Sequence, residues 1–247
     1  VPLVLRGAAP ATSADPTRAP RVDPRWLDDV HALLDRDPVL GPALAAGIET
    51  EALLAPLRPP AAPRDRTRGD RDGDGDGDRE REGDGDGAAV LGRMLAADGG
   101  PRIAVVERGG WDTHTAQDRT LTQGLDGLAR SIAGLRDGLG DRWADTVVVA
   151  ATEFGRTVRG NGTGGTDHGT GGVALLAGGA VAGGRVVADW PGLDDGALLD
   201  GRDLRPTTDL RRVFAGILRD HLRVPERALR GVFPGGVAPL DGLVRVG

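Results

Sequence analysis

No cysteine occurs among the 247 residues, which excludes disulfides, thiol catalysis and zinc–thiolate sites and leaves the redox compartment open. Tyrosine is absent as well, and aromatic residues make up only 3% of the chain, so a core has to be built from Leu, Val, Ala and a few Ile. Lysine is missing altogether. Every basic residue is Arg, which with the excess of Ala, Gly and Asp reads as GC-rich coding rather than a demand of function. Arg-rich runs and basic helical faces are lacking too, and the net charge of −6 argues against nucleic acid or an anionic membrane as partner. No apolar run approaches the roughly 18 residues that a membrane span needs. The chain starts at Val1 with no signal-peptide pattern, as a fragment or a processed product would. A chain of this length buries one substantial core or two small ones.

Three regions follow from the pattern of apolar residues. Residues 1–57 mix Pro-rich loops with helix. Trp26, Leu27, Val30, Leu33 and Leu34 recur at helical spacing after Asp23 and Pro24, and a second helix is expected from about Pro42 to Leu57. We expect this segment to pack on the main domain. Residues 58–87, RPPAAPRDRTRGDRDGDGDGDREREGDGDG, hold no Leu, Ile, Val or aromatic residue. Such a tract has nothing to offset its ordering entropy and is expected to be a disordered linker. Within it Asp70, Asp72, Asp74 and Gly75 imitate the opening of a calcium loop. The twelfth position, where a bidentate Glu belongs, is Arg81, and Glu82 comes one place late. A solvated acidic linker is the better reading.

Residues 88–247 are expected to be an α/β domain. Ala88–Ala97 reads as a short helix and Ile103–Glu107 as a buried strand. From Gln117 to Leu139 an apolar stripe at steps of three and four marks an amphipathic helix. Thr146–Ala151, Val173–Leu176 and Arg185–Ala188 read as further strands, and Asp209–His221 as a closing helix capped by Thr208. Apolar strands alternating with helices imply a mostly parallel central sheet with helices on both faces.

Polar clusters follow two of these strands, where open α/β sheets bind their ligands. GGWDTH places Asp112 two residues before His114, and in extended backbone such side chains point the same way. In the glycine-rich stretch NGTGGTDHGTGG, Asp167 and His168 form a second acid–imidazole pair. Neutral imidazole and carboxylate suit Zn²⁺, Mn²⁺ or Fe, so Asp112, His114, Asp167 and His168 are candidate ligands of a divalent metal. The bland alternative makes Asp112 a helix cap and His168 a loop residue bonded to backbone. His31 and His221 lie on amphipathic helices and read as structural. Glu153 and Arg156, three apart in TEFGRT, are candidate catalytic residues, or simply an ion pair.

GGWDTH, the long amphipathic helix, VVVAATEFGRT, TDHGTGG, LLAGGAVAGGRVVADWPGL and DLRRVFAGILRDHLRVPERALRGVFPG together resemble the bacterial family labelled domain of unknown function 1501, over about Ala88 to Val246. The resemblance implies membership of the alkaline phosphatase and sulfatase superfamily: an α/β sandwich holding one or two divalent ions that catalyse ester hydrolysis. By motif order Asp112, His114 and His168 would take one ion. Glu153 stands where a second ion would find its Asp-His pair, keeping the carboxylate and losing the imidazole. Family members usually open with a strand ending in a Gly-Gly-x-Asp-Gly-like motif, often after a twin-arginine export signal. This chain matches neither, so the family's N-terminal strand region is lacking.

The expected function is therefore hydrolysis of phosphate or sulfate esters, with a small anionic ester as substrate. Arg156 would clamp an anionic oxygen through its fixed fork of donors. Thr113, Thr152 and Thr157 are the hydroxyls at hand, and none has motif support as a nucleophile. The alternative is a non-catalytic relative acting in binding or assembly.

Overall fold

A computed structural model describes residues 13, 15, 23–34, 36–58 and 76–245. The chain divides into two compact units, one of residues 1–108 with 127–140 and the other of 109–126 with 141–247.

In the first unit, Asp23 accepts the Arg25 amide at 2.9 Å and starts helix α1, Pro24–Leu34. Helix α2, Leu40–Leu54, continues into a 3-10 turn at Ala55–Leu57. Helix α3 runs from Asp76 to Ala96. The helix expected at Ala88 thus begins twelve residues earlier, inside the acidic tract. Residues 59–75, with the calcium-like Asp70–Gly75, lie outside the described residues.

Acidic residues at a helix N-terminus are favoured by its dipole. Glycines on the facing helix serve a different need. A Cβ added at Gly134 of helix α4, Gln117–Leu139, would sit 2.2 Å from the Gly85 carbonyl oxygen. One at Gly138 would sit 2.1 Å from that of Ala89. Backbones that close admit no side chain between them, so glycine is required where helices α3 and α4 meet. Leu54, Val90 and Leu139 are buried in this unit, and the Arg93 guanidinium donates to the Leu57 carbonyl at 2.7 and 3.0 Å.

The second unit overturns the expected sheet. Its strands, among the described residues, form two antiparallel pairs: β1, Val148–Ala150, with β4, Leu175–Ala177, and β2, Gly155–Arg156, with β3, His168–Gly169. Among the described residues there is no mostly parallel central sheet with helices on both faces, and no alkaline-phosphatase-like sandwich. The physical reason lies in the connection. A parallel return needs a crossover, usually a helix. The chain between β1 and β4 forms loops and the β2–β3 pair instead, so β4 comes back antiparallel. Ile103–Glu107 and Arg185–Ala188, expected as buried strands, are irregular and exposed. Ile103 is 64%, Val106 71% and Val186 92% accessible.

The core of this unit rests on helix α5, Leu210–Asp220. Val213 and Ile217 pack with Leu243 and Val244 against Val147, Val149 and Leu176. The helix is capped by Asp209, whose side chain accepts the Arg211 amide at 2.9 Å, one residue later than the expected Thr208. A short helix α6, Glu226–Val232, follows.

Candidate metal centre

Antiparallel pairing of β2 with β3 sets Arg156 opposite His168. Directly opposed residues share a face of the ladder, so guanidinium and imidazole both reach the same neighbour. That neighbour is Asp112. Its Oδ1 lies 2.8 Å from His168 Nε2 and 2.9 Å from an Arg156 NH2 nitrogen. His114 Nε2 comes within 3.0 Å of the same oxygen and 3.2 Å of His168 Nε2.

Asp112, His114 and His168 therefore form a cluster able to hold a metal ion. Three donors on a triangle of 2.8, 3.0 and 3.2 Å match one face of a coordination polyhedron. Bonds of about 2.0–2.1 Å to a tetrahedral ion put its ligands roughly 3.3 Å apart. All three side chains are substantially open to solvent, which leaves the fourth direction accessible.

The donors are braced from behind. His114 Nδ1 lies 3.0 Å from Asp167 Oδ1, and in the tautomer protonated at Nδ1 the ring donates to that carboxylate and leaves the Nε2 lone pair for an ion. Asn161 holds the brace: its Nδ2 donates to Asp167 Oδ1 at 3.1 Å and to the His114 carbonyl at 2.9 Å. Its Oδ1 accepts from the Thr163 amide, the Thr163 hydroxyl and the Gly165 amide. One asparagine thus ties the glycine-rich loop to a ligand and to that ligand's partner. Gly165 lies so close that a Cβ there would stand 2.3 Å from the His114 carbonyl. On the other side the Phe154 ring packs on His168 at a centroid distance of 4.5 Å.

These contacts set the charges. The His168 hydrogen bond, with Arg156 adding to it, holds the Asp112 carboxyl below its ordinary range. Asp167 is lowered by Asn161 first and then by His114. Both groups stay anionic well into acid, as ligand and brace require.

The remaining candidates stand elsewhere. Asp167 is placed as the partner of His114 rather than among the three converging donors. Glu153 is exposed and lies outside that cluster. Arg156 donates to the Thr166 carbonyl at 2.9 Å, the Trp111 carbonyl at 2.6 Å and Asp112, which makes it a positioner of the site's own backbone and ligand. Thr113 is 4% accessible, Thr152 donates to the Phe154 carbonyl and Thr157 to that of Arg159. His31 is exposed at the end of α1, and His221 closes α5. Sequence reasoning missed Asn161 and Phe154. Asn161 carried a usable signal, since Asn before Gly-Thr-Gly-Gly is the composition of a side-chain-closed turn; Phe154 carried none.

Fold and site together define a small mixed helix-and-hairpin chain with a two-histidine, one-carboxylate cluster at a loop junction. The family model described as "Protein of unknown function (DUF1501)" matches residues 61–233, and the chain belongs to this family. Comparison with curated proteins and with solved structures gives no match.

Proposed function

We propose that this chain is a metal-dependent hydrolase of phosphate or sulfate esters, built on one divalent ion such as Zn²⁺ or Mn²⁺ held by Asp112, His114 and His168. The observation that carries the reading is the convergence of three ligand atoms from positions 112, 114 and 168, with His114 Nδ1 3.0 Å from the Asp167 carboxylate on the far side of the ring. A ring hydrogen-bonded to a carboxylate on its far side is the usual arrangement behind a metal-ligating histidine. The resemblance to the alkaline phosphatase and sulfatase superfamily supports the choice of substrate class, and it rests on sequence motifs alone.

An ion bound there supplies Lewis acidity, polarising an ester oxygen and making water more acidic. The chain's residues do the rest. Asp112 and the two imidazoles fix the ion's position, Arg156 fixes Asp112, and Asp167 with Asn161 fixes His114. In the net reaction the oxygen of water bonds to phosphorus or sulfur, the ester oxygen leaves with the alcohol, and that alcohol takes up a proton from water.

Replacing His114 by Ala is expected to remove both the bound metal, read by elemental analysis, and any hydrolysis of aryl phosphates or sulfates. Turnover that persists in a metal-free sample rules the proposal out. Glu153, standing apart from the three donors, favours a second reading: a single ion held without catalysis, as in a binding or assembly protein. Stoichiometric metal with no turnover of either ester class would select it.

A further inference from the structure

Beside the donor cluster lies a cleft of about 260 Å³ that the hydrolase reading does not use. Thr157, Asn161 and Asp167 line it together with Arg159 and Arg202. Its walls are continuous with the centre. Asn161 and Asp167 are the braces of His114, and Arg202 donates to the His168 carbonyl at 2.8 Å. Arg202 also lies near enough to Asp167 to lower its pKa, after Asn161 and His114.

Neither guanidinium is spent. Arg159 pairs through one NH2 nitrogen with Asp195, and Arg202 adds a 3.5 Å approach to Asp203 through NH1. Each guanidinium carries five N–H donors in a rigid fork suited to tetrahedral and carboxylate oxygens. Of the charged residues that line the cleft two are arginines and one is Asp167, while Asp195 and Asp203, which pair with the arginines, do not line it; the N–H donors left over by those pairs are what a ligand oxygen would meet. Asp167 spends Oδ1 on His114 and Asn161 and stands as an anion at the edge of the cleft.

We propose that this cleft is an oxyanion subsite, which selects esters carrying a second negative group, a phosphate, sulfate or carboxylate, next to the one at the metal centre. As a statement about substrate the proposal rests on the hydrolase reading; as a statement about anion binding it does not. Arg159 and Arg202 are the specificity-determining residues. Asp195, by pairing with Arg159, competes with the ligand for it.

The test begins with inorganic phosphate titrated into the full chain with divalent ions chelated, followed by calorimetry. Phosphate is expected to bind, more weakly as salt rises. Arg159→Met and Arg202→Met are each expected to lower the affinity tenfold or more. Asp195→Asn should raise it several-fold, a gain that misfolding cannot mimic. Absence of binding by the chelated wild type overturns the proposal. So does binding that needs the divalent ion and survives both arginine substitutions, because the anion then sits on the metal. A second arm compares an alkyl bisphosphonate with the monophosphonate on metal-loaded protein. The bisphosphonate should bind at least tenfold tighter, with Arg159→Met erasing the difference; equal affinities overturn the claim about substrate. Failure to load metal would count against the hydrolase reading, while the chelated titration still decides the cleft.

Discussion

The loops that carry the donors and the extended segment at Arg185–Leu193 belong to the same unit and are built on opposite terms. Around Asp112, His114 and His168 the side chains are polar and partly open to solvent, yet nearly every group is held. The Asn161 side chain alone engages in five hydrogen bonds, and that of Arg156 makes three. The other segment, RVVADWPGL, is rich in apolar residues, and Val186, Val187, Trp190 and Leu193 stand exposed. Order in this unit thus follows directed polar contacts at the site and burial in the cluster around α5. Apolar composition by itself creates neither a strand nor a core: a strand needs a neighbour for its backbone groups, and a side chain needs a surface to lie against.

That contrast is most open to attack at Gly165. Its backbone lies on the His114 carbonyl with no room for a methyl group. Gly165→Ala is expected to push His114 off its position and weaken metal binding by about 10- to 100-fold, the range seen when groups behind a ligand are disturbed. Asp167→Asn should act in the same direction by loosening the imidazole. Competition titration with a chromophoric chelator reads both. Unchanged affinity in Gly165→Ala would mean that the polar scaffold is far softer than its contacts imply.

How much of this is legible in the sequence? Helix α4 can be read end to end, because Leu and Ile recur at helical spacing over 23 residues, a period that neither strand nor loop sustains. The donors are legible because an acid two places before one histidine and another acid beside a second are chemistry-bearing pairs in a chain with four histidines. The sheet departs from expectation for a reason also written in the sequence. Between Ala151 and Thr208 no helical stripe occurs, so nothing there supplies the crossover that parallel strands require. Short apolar runs such as Ile103–Val106 and Arg185–Ala188 carry no record of whether a partner strand exists. The start of α3 is illegible because an acidic, glycine-rich run looks disordered, and the close approach of a facing helix, at Gly85 and Ala89 to Gly134 and Gly138, leaves no mark in the local sequence.

A second expected difference concerns pH. Asp112 and Asp167 both titrate lower in the folded chain than an ordinary aspartate, at about 3.9, through their hydrogen bonds to His168 and Asn161 respectively. Groups depressed in this way contribute stability that is whole above the ordinary value and is lost as pH falls through the folded values. Thermal melts of the metal-free chain should therefore show Tm falling below about pH 4. The fall should be shallower in the Asp112→Asn, Asp167→Asn double variant, which has no carboxyls there to titrate. Parallel curves for the two proteins would show that these contacts carry no weight in folding.

The smallest effect is expected where the sequence looks most core-like. Val186 sits in an apolar run and would normally be the last place to put a charge. At 92% accessibility it has almost no contact surface to lose and no buried neighbour to disturb. Val186→Lys should therefore change stability by no more than about 0.5 kcal/mol, the range of ordinary surface substitutions. Chemical denaturation with an unchanged slope would read it. A loss of several kcal/mol would mean that Arg185–Ala188 is covered in solution, and the contrast between a held polar site and an unheld apolar segment would collapse. A neutral result would leave hydrogen-bonded geometry, rather than hydrophobic pattern, as the feature that locates structure around the site.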